Sequence, residues 1–318
     1  MIHKINDSIY RIELPLSDTG GEHSVNCYLL MPELLLVDAG PADSAAYKVL
    51  EDALRSINVS INQLNAVIIT HHHSDHTGLL TTLPDSIPIY MNSTSIQYFC
   101  NSSAIQDKEF ITKTIAESVD VPEPKRAKLM EQLFRDYRLN GLEHKTLHLM
   151  DQEGWLFDKY KIILLKGHSC NDLCIYCENY NIVISGDLLL DKVTINSLLE
   201  INPSDGTLVT NLMRRYMSSV EFIRTTNAVL LPGHGEIIYD AASLINNNRL
   251  KTEKRLKKAQ RIIKQYENLS VNSLCEKLFP GLCDLEYYLA LSETFNILDL
   301  LDEQKSVKID NSKQGAPI

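Results

Sequence analysis

Residues 66–78 constrain the chain more than any other stretch. Val67, Ile68, Ile69 and Thr70 are apolar or β-branched and read as a short buried strand. The strand stops in a polar loop that offers His71, His73, Asp75 and His76 within six residues. In an extended or tightly turned loop His71 and His73 point the same way, and Asp75 and His76 follow on a changed heading. Such a stretch can hold two cations side by side, one on the first two imidazoles and one on the carboxylate and the last imidazole. Imidazole with carboxylate suits zinc, and also iron or manganese. The bland alternative is a loop of merely exposed histidines. Four ligand-type side chains at the end of a buried strand argue against it.

The run Thr70-His71-x-His73-x-Asp75-His76-x-Gly78 resembles, without a gap, the signature of the metallo-β-lactamase-fold hydrolases. That resemblance implies an α/β fold, a four-layer αββα sandwich, and further ligands at later strand ends. Three sites match. Gly167-His168-Ser169 follows an apolar run and stands where the family places a third imidazole, so His168 would join His71 and His73 on the first metal. Gly186-Asp187 ends the run Ile182 to Ser185, and Asp187 would bridge both metals. Pro232-Gly233-His234-Gly235 ends another run, and His234 would complete the second metal's set with Asp75 and His76. Leu34 to Gly40 resembles the family's Val-Asp-x-Gly strand, whose aspartate, here Asp38, buttresses the metal loop rather than binding metal. One departure is Asp172, where many relatives with esterase-like or nuclease activity carry a second histidine. It is expected to face the substrate or the outer shell of the site.

Strands are expected at 8–14, 25–30, 34–40, 67–70, 87–91, 160–166, 173–177 and 181–185, and again before Pro232, with a Gly20-Gly21 turn between the first two. Asp43 should cap a helix over 44–56, and another helix is expected over 207–226. Residues 94–145 read as a polar, mainly helical insertion, either a lid or a layer, with Leu129, Leu133 and Tyr137 at helical spacing. The hydrolase domain should thus span 1–245. A C-terminal helical domain over 246–309 follows, with a short strand at Val307–Ile309. It resembles the winged-helix-like extension of a LACTB2-like, thioesterase-like branch of the family. Its first helix carries an apolar stripe of Leu256, Ala259, Ile263 and Tyr266 amid eight basic residues, from Arg249 to Lys264. Residues 310–318 are polar and expected to be disordered.

Composition limits the function classes. Apolar content of 44% with 23% charged residues is that of a globular protein, and no run of about 18 apolar residues could span a membrane. The N-terminus lacks a signal peptide's apolar core, and seven cysteines, an odd number, argue for reduced thiols and a cytoplasmic location. Cys170, Cys174 and Cys177 match the cluster-binding spacing of radical S-adenosylmethionine enzymes. A strand over 173–177 would send the last two to opposite faces, against that reading.

The resemblance implies a hydrolase with two divalent metal ions, most readily zinc, that aims a metal-bridging hydroxide at a small ester or thioester. Asp75 is the proposed proton acceptor as well as a ligand. The alternative is a phosphodiesterase or endoribonuclease using the same two-metal site. The basic helix favours it, and the net charge of −10 opposes it. The expected partner is therefore a small acyl substrate rather than nucleic acid, and the sequence is silent on oligomeric state. Di-iron relatives that reduce oxygen or nitric oxide use a carboxylate in place of a metal-loop histidine, which is not seen here.

Overall fold

Successive strand positions face opposite ways, and the chain uses both faces of its strands. Along Ile182–Gly186, Ile182 and Ile184 enter one apolar cluster while Val183 enters another. The computed structural model describes residues 1–16, 24–99, 142–195, 197–266, 269–282 and 284–303, with scattered positions between 112 and 130. Strands β1 (Ile2–Lys4), β2 (Ile9–Pro15), β3 (Ser24–Leu30), β4 (Leu35–Val37), β5 (Ala66–Ile68), β6 (Ile89–Met91) and β7 (Leu147–Leu149) form a seven-stranded sheet in that order. Strands β8 (Gly154–Leu156), β9 (Tyr160–Ile163), β10 (Cys174–Cys177), β11 (Ile182–Gly186) and β12 (Val229–Pro232) form a second sheet. The strands β4 to β7 run parallel, as do β11 and β12, so their C-terminal ends gather on one edge.

Three clusters make the layers. Ile9, Tyr28, Val37 and Ile68 of the first sheet meet Ile162, Ile175, Ile184 and Leu231 of the second. The outer face of the first sheet packs Ile12, Leu29, Val67 and Ile89 on Leu50 and Leu54 of α1 (Ser44–Ser56). The outer face of the second packs Val183 and Leu230 on Met213, Tyr216 and Ile223 of α4 (Leu212–Thr226). The result is helix, sheet, sheet, helix, the expected αββα sandwich. Asp43 caps α1 as expected, its Oδ1 accepting from Ala45 N at 2.6 Å.

Some element bounds differ from expectation. The helix expected from 207 starts at Leu212, because Asp205 and Gly206 close a turn and Leu208 bridges back to Ile201. The β-branched residues Thr207, Val209 and Thr210 favour that extended path. The long basic helix α5 (Ala241–Gln265) starts before 246, where Asp240 accepts from Ser243 N. Its buried positions are Ala241, Ile245, Asn248, Thr252 and Ala259. Tyr266 leaves the apolar stripe and stands exposed beneath Lys277. Strands β1, β7 and β8 were not foreseen; three residues each are too short to show a period.

Helices α6 (Val271–Leu278) and α7 (Asp284–Glu303) follow, and their apolar residues join the clusters on both outer faces: Tyr287, Leu291 and Phe295 with the first sheet, Leu274, Leu278 and Ile297 with the second. Within 94–145, α3 (Ser93–Phe99) buries Tyr98 and Phe99, and Leu129 is buried. The turn at Gly20-Gly21, Leu133, Tyr137, the strand expected at Val307–Ile309 and the tail 310–318 lie outside the described residues.

Candidate metal centre

The sheet edge collects every side chain singled out in the metal loop and its later partners. Leaving β5, the chain bends at Thr70 and reaches an extended His73, and Ser74–Thr77 form a one-turn helix α2. This change of heading separates two ligand sets. Nitrogens of His71, His73 and His168 lie within 4.8 Å of one another, and so do ligand atoms of Asp75, His76 and His234. His168 Nε2 comes within 2.9 Å of His73 Nδ1, and His234 Nε2 within 3.1 Å of Asp75 Oδ2. Asp187, at the end of β11, reaches both sets. One of its oxygens is 3.8 Å from His168 Nε2 and 3.3 Å from His234 Nε2, and the other is 3.4 Å from His76 Nε2.

The polar groups behind the rings fix which nitrogen faces inward. Asp38 is buried, and its carboxylate accepts from Thr70 N, Thr70 Oγ1 and His76 Nδ1. Thr70 Oγ1, having given its hydrogen to Asp38, accepts from His71 Nδ1 at 3.0 Å. His234 Nδ1 donates to the Ser24 carbonyl at 2.8 Å. In all three rings Nδ1 is engaged by an acceptor outside the site and Nε2 is the atom turned inward, free to ligate once any proton on it leaves, the arrangement that metal-ligating imidazoles need. Asp38 thus buttresses the loop, as expected of it.

Two observations show that the donor set fits divalent cations. His71 Nε2 is buried without a hydrogen-bond partner among the described residues, a costly state for a ring nitrogen unless a cation takes it. Gly233 lines the site so closely that a Cβ there would lie 2.2 Å from Asp187 Oδ1 and 2.6 Å from His76 Cε1. That position must carry no side chain, which keeps the space between the ligands open.

The electrostatics separate along the same line. Burial, and then the neighbouring imidazoles of His76, His73 and His168, push His71 well below the usual histidine range. A neutral ring is the ligating form. Burial alone would lower His76 and His234, but Asp187 and Asp75 outweigh it and raise both well above the ordinary value. Burial would raise the two carboxyls, yet His76 and His234 hold both below the usual carboxylate range. Protons on His76 and His234 therefore occupy the charge balance that a cation would take over.

Of the two places expected for Asp172, it takes the outer shell. It is buried, and its carboxylate accepts from the backbone N–H groups of Gly167, His168 and Ser169 at 2.8–3.0 Å. It clasps the loop that presents His168, and burial brings its carboxyl up to about 7 against the pull of those donors. Gly167 allows that loop: its φ is +141°, and a Cβ would meet the Tyr216 backbone at 2.3 Å. The cysteine triad dissolves. Cys174 packs in the outer cluster of the second sheet, and Cys177 in the cluster between the sheets.

Sequence reasoning missed Glu200 and His72. Glu200 is buried beside the first ligand set, 3.4 Å from His73 Nε2 and 3.6 Å from His72 Nε2. Burial raises its carboxyl, but His72 and His73 outweigh that and hold it below its ordinary value. Its signal was a single acid inside the apolar run Leu198-Leu199-Glu200-Ile201. His72 stacks face to face on Tyr98 at 3.7 Å and is no neighbour of the second set.

An αββα sandwich with a histidine- and aspartate-lined centre at its sheet edge defines a metallo-hydrolase. The model of the metallo-beta-lactamase superfamily matches residues 20–234, and the chain belongs to that superfamily. It is 26% identical over 95% of its length to a probable metallo-hydrolase, YqjP, of Bacillus subtilis, covering 94% of that protein. It is 24% identical over 87% of its length to a beta-lactamase-like protein 2 homolog of Caenorhabditis elegans, covering 78% of that protein. Among solved structures, the metallo-beta-lactamase family protein TTHA1429 of Thermus thermophilus aligns with a TM-score of 0.77 at 20% identity, over 96% of both chains.

Proposed function

We propose that the chain hydrolyses a small ester or thioester with two divalent cations, most readily zinc, held side by side at the sheet edge. The observation that carries the reading is the pairing of a three-imidazole set with an Asp75, His76 and His234 set, with Asp187 within reach of both. Bound there, the cations would supply a water ionised near neutral pH and a Lewis-acidic grip on the scissile carbonyl oxygen. His71, His73 and His168 would hold the first cation and Asp75, His76 and His234 the second. Asp187 would reach both. Asp75 is the most exposed of the seven, with 22% of its side chain open, so its carboxylate can also orient the attacking water and accept its proton.

Acyl chemistry is favoured over phosphodiester chemistry by where the cationic side chains go. The two buried ones among the described residues are already engaged: Arg11 with Glu236 and the Gly235 carbonyl, and Lys145 with Asp85 and the Leu83 carbonyl. Neither is left to clamp a phosphate. On α5, Arg255 pairs with Glu293 and Lys258 donates to the Leu278 carbonyl, so part of the basic helix serves the fold. The exposed Lys254, Lys257, Arg261 and Lys264 keep nucleic acid as the second reading.

A panel of thioesters, esters, lactones and phosphodiesters tests both, using zinc-, iron- and manganese-loaded protein. Turnover of a small acyl substrate, unchanged in Lys254→Ala/Lys257→Ala/Arg261→Ala, is expected. Salt-sensitive RNA cleavage that is lost in that triple variant and in His71→Ala would overturn the acyl reading. A cytoplasmic location is part of the proposal and rests on the odd number of cysteines; among the described residues no helix is long and apolar enough to cross a membrane.

A further inference from the structure

His73 is turned the other way from its neighbours. In His71, His76 and His234 it is Nδ1 that donates to a fixed acceptor and Nε2 that faces the site. In His73 it is Nδ1 that meets His168 Nε2, at 2.9 Å, and Nε2 that lies on the Glu200 side. Glu200 Oε1 is 3.4 Å from that Nε2.

Resting on the two-cation reading, we infer that Glu200 is the positioning residue for the first cation, its carboxylate accepting from His73 Nε2–H so that Nδ1 is the ligating atom. A carboxylate behind a ligating imidazole fixes tautomer and ring orientation and raises the basicity of the ligand nitrogen. Asp38 stands in that relation to His76 directly and to His71 through Thr70; Glu200 closes the opposite flank of the same loop. His72 is the other ring near Oε1, at 3.6 Å, but its Nδ1–H goes to Asn171 Oδ1. His73 is thus the nearer donor.

The carboxylate is also aimed. Its second oxygen accepts from Cys170 N at 2.8 Å, on the loop that carries His168. The extended strap 197–201 around it is fastened on every side. Leu198 N donates to the His168 carbonyl, Leu199 N to Ser292 Oγ, Tyr288 Oη to the Leu199 carbonyl, Tyr98 Oη to the Ile201 carbonyl, and Asn296 Nδ2 to the Ser197 carbonyl. A buried carboxylate on so constrained a backbone holds one direction, which is what supporting a ligand requires.

The test uses the full chain and zinc. Glu200→Gln keeps the shape and removes the charge, Glu200→Asp restores the charge one methylene short, and binding is read by competition with a chromophoric chelator. The His71, His73 and His168 site should weaken about 10- to 100-fold in Glu200→Gln and recover partly in Glu200→Asp, with the Asp75, His76 and His234 site unchanged. Cobalt loading should show the loss in the absorption of the His71, His73 and His168 site. Long-range proton–nitrogen spectra of the wild-type zinc protein should show His73 protonated at Nε2, a readout that stands even if a variant fails to fold. Wild-type zinc affinity in a folded Glu200→Gln, or a His73 protonated at Nδ1, would overturn the inference and leave the hydrolase reading intact. Wild-type protein that binds no divalent cation would overturn the two-cation reading, and this inference with it.

Discussion

Adding one methyl group at Gly233 should empty half of the centre. The new Cβ would sit 2.2 Å from Asp187 Oδ1 and 2.6 Å from His76 Cε1, against contacts that in real structures stay above 3.0 Å. The backbone cannot retreat, because Gly233 N donates to the Gly186 carbonyl and its own carbonyl accepts from Asn26 N at 2.7 Å. Asp187 and His76 must therefore move by roughly 0.5–1 Å, beyond the ~0.2 Å tolerance of a coordination site. Gly233→Ala should lose about 10- to 100-fold in affinity for the second cation, or about 1.4–2.7 kcal/mol, and turnover should fall about 100-fold. Overpacking should cost the metal-free fold about 1–3 kcal/mol, so the variant remains folded. Elemental analysis after dialysis would read near one cation per chain where the wild type holds two. Two tightly held cations and wild-type turnover in this variant would refute the placement of the second set.

Asp172→Ala should cost about 2–4 kcal/mol of stability, since three backbone N–H groups lose a buried acceptor, and Asp172→Asn should cost less; thermal melts check this, and cation affinity should fall in parallel because His168 loses its clasp. In metal-free protein, His76 and His234 are raised above 6.5, so their contribution to stability is complete below pH 6.5 and is lost as pH rises through the raised values. Melting temperature of the chelated protein should accordingly fall as pH rises above 6.5, and loading with cation should flatten the slope; parallel slopes would contradict the protonation scheme. Arg255→Ala should cost about 1–3 kcal/mol by leaving the buried Glu293 uncompensated, a figure reduced for the partial exposure of the arginine, while Lys254→Ala should be neutral by chemical denaturation.

What could be read from the chain, and what could not, follows the range of the interactions involved. His71, His73, Asp75 and His76 sit on six consecutive residues, so their chemistry is local and legible. His168, Asp187 and His234 each end an apolar run with a glycine before them, which marks a strand end even where the partner is far away. Glu200 had no such marker: its role depends on a strap that crosses behind the metal loop and on helix α7, and a lone acid in an apolar run says only that something must compensate it. The two places open to Asp172, substrate side or outer shell, could not be told apart from the sequence because loop clasps depend on backbone direction, which residue types do not encode. The late start of α4 reflects a turn and a bridge that outcompete helical periodicity.

The staples between Leu199 and Ser292, 93 residues apart in sequence, also set an order of assembly. The metal loop leaves the ribosome long before the helix that steadies the strap behind it. A nascent chain halted before α7 would own His71, His73 and His168 yet lack the fixed carboxylate that orients one of them. Full cation retention would then mark synthesis through Asn296 of α7, and prematurely terminated chains would be distinguished by how readily they give up a bound cation.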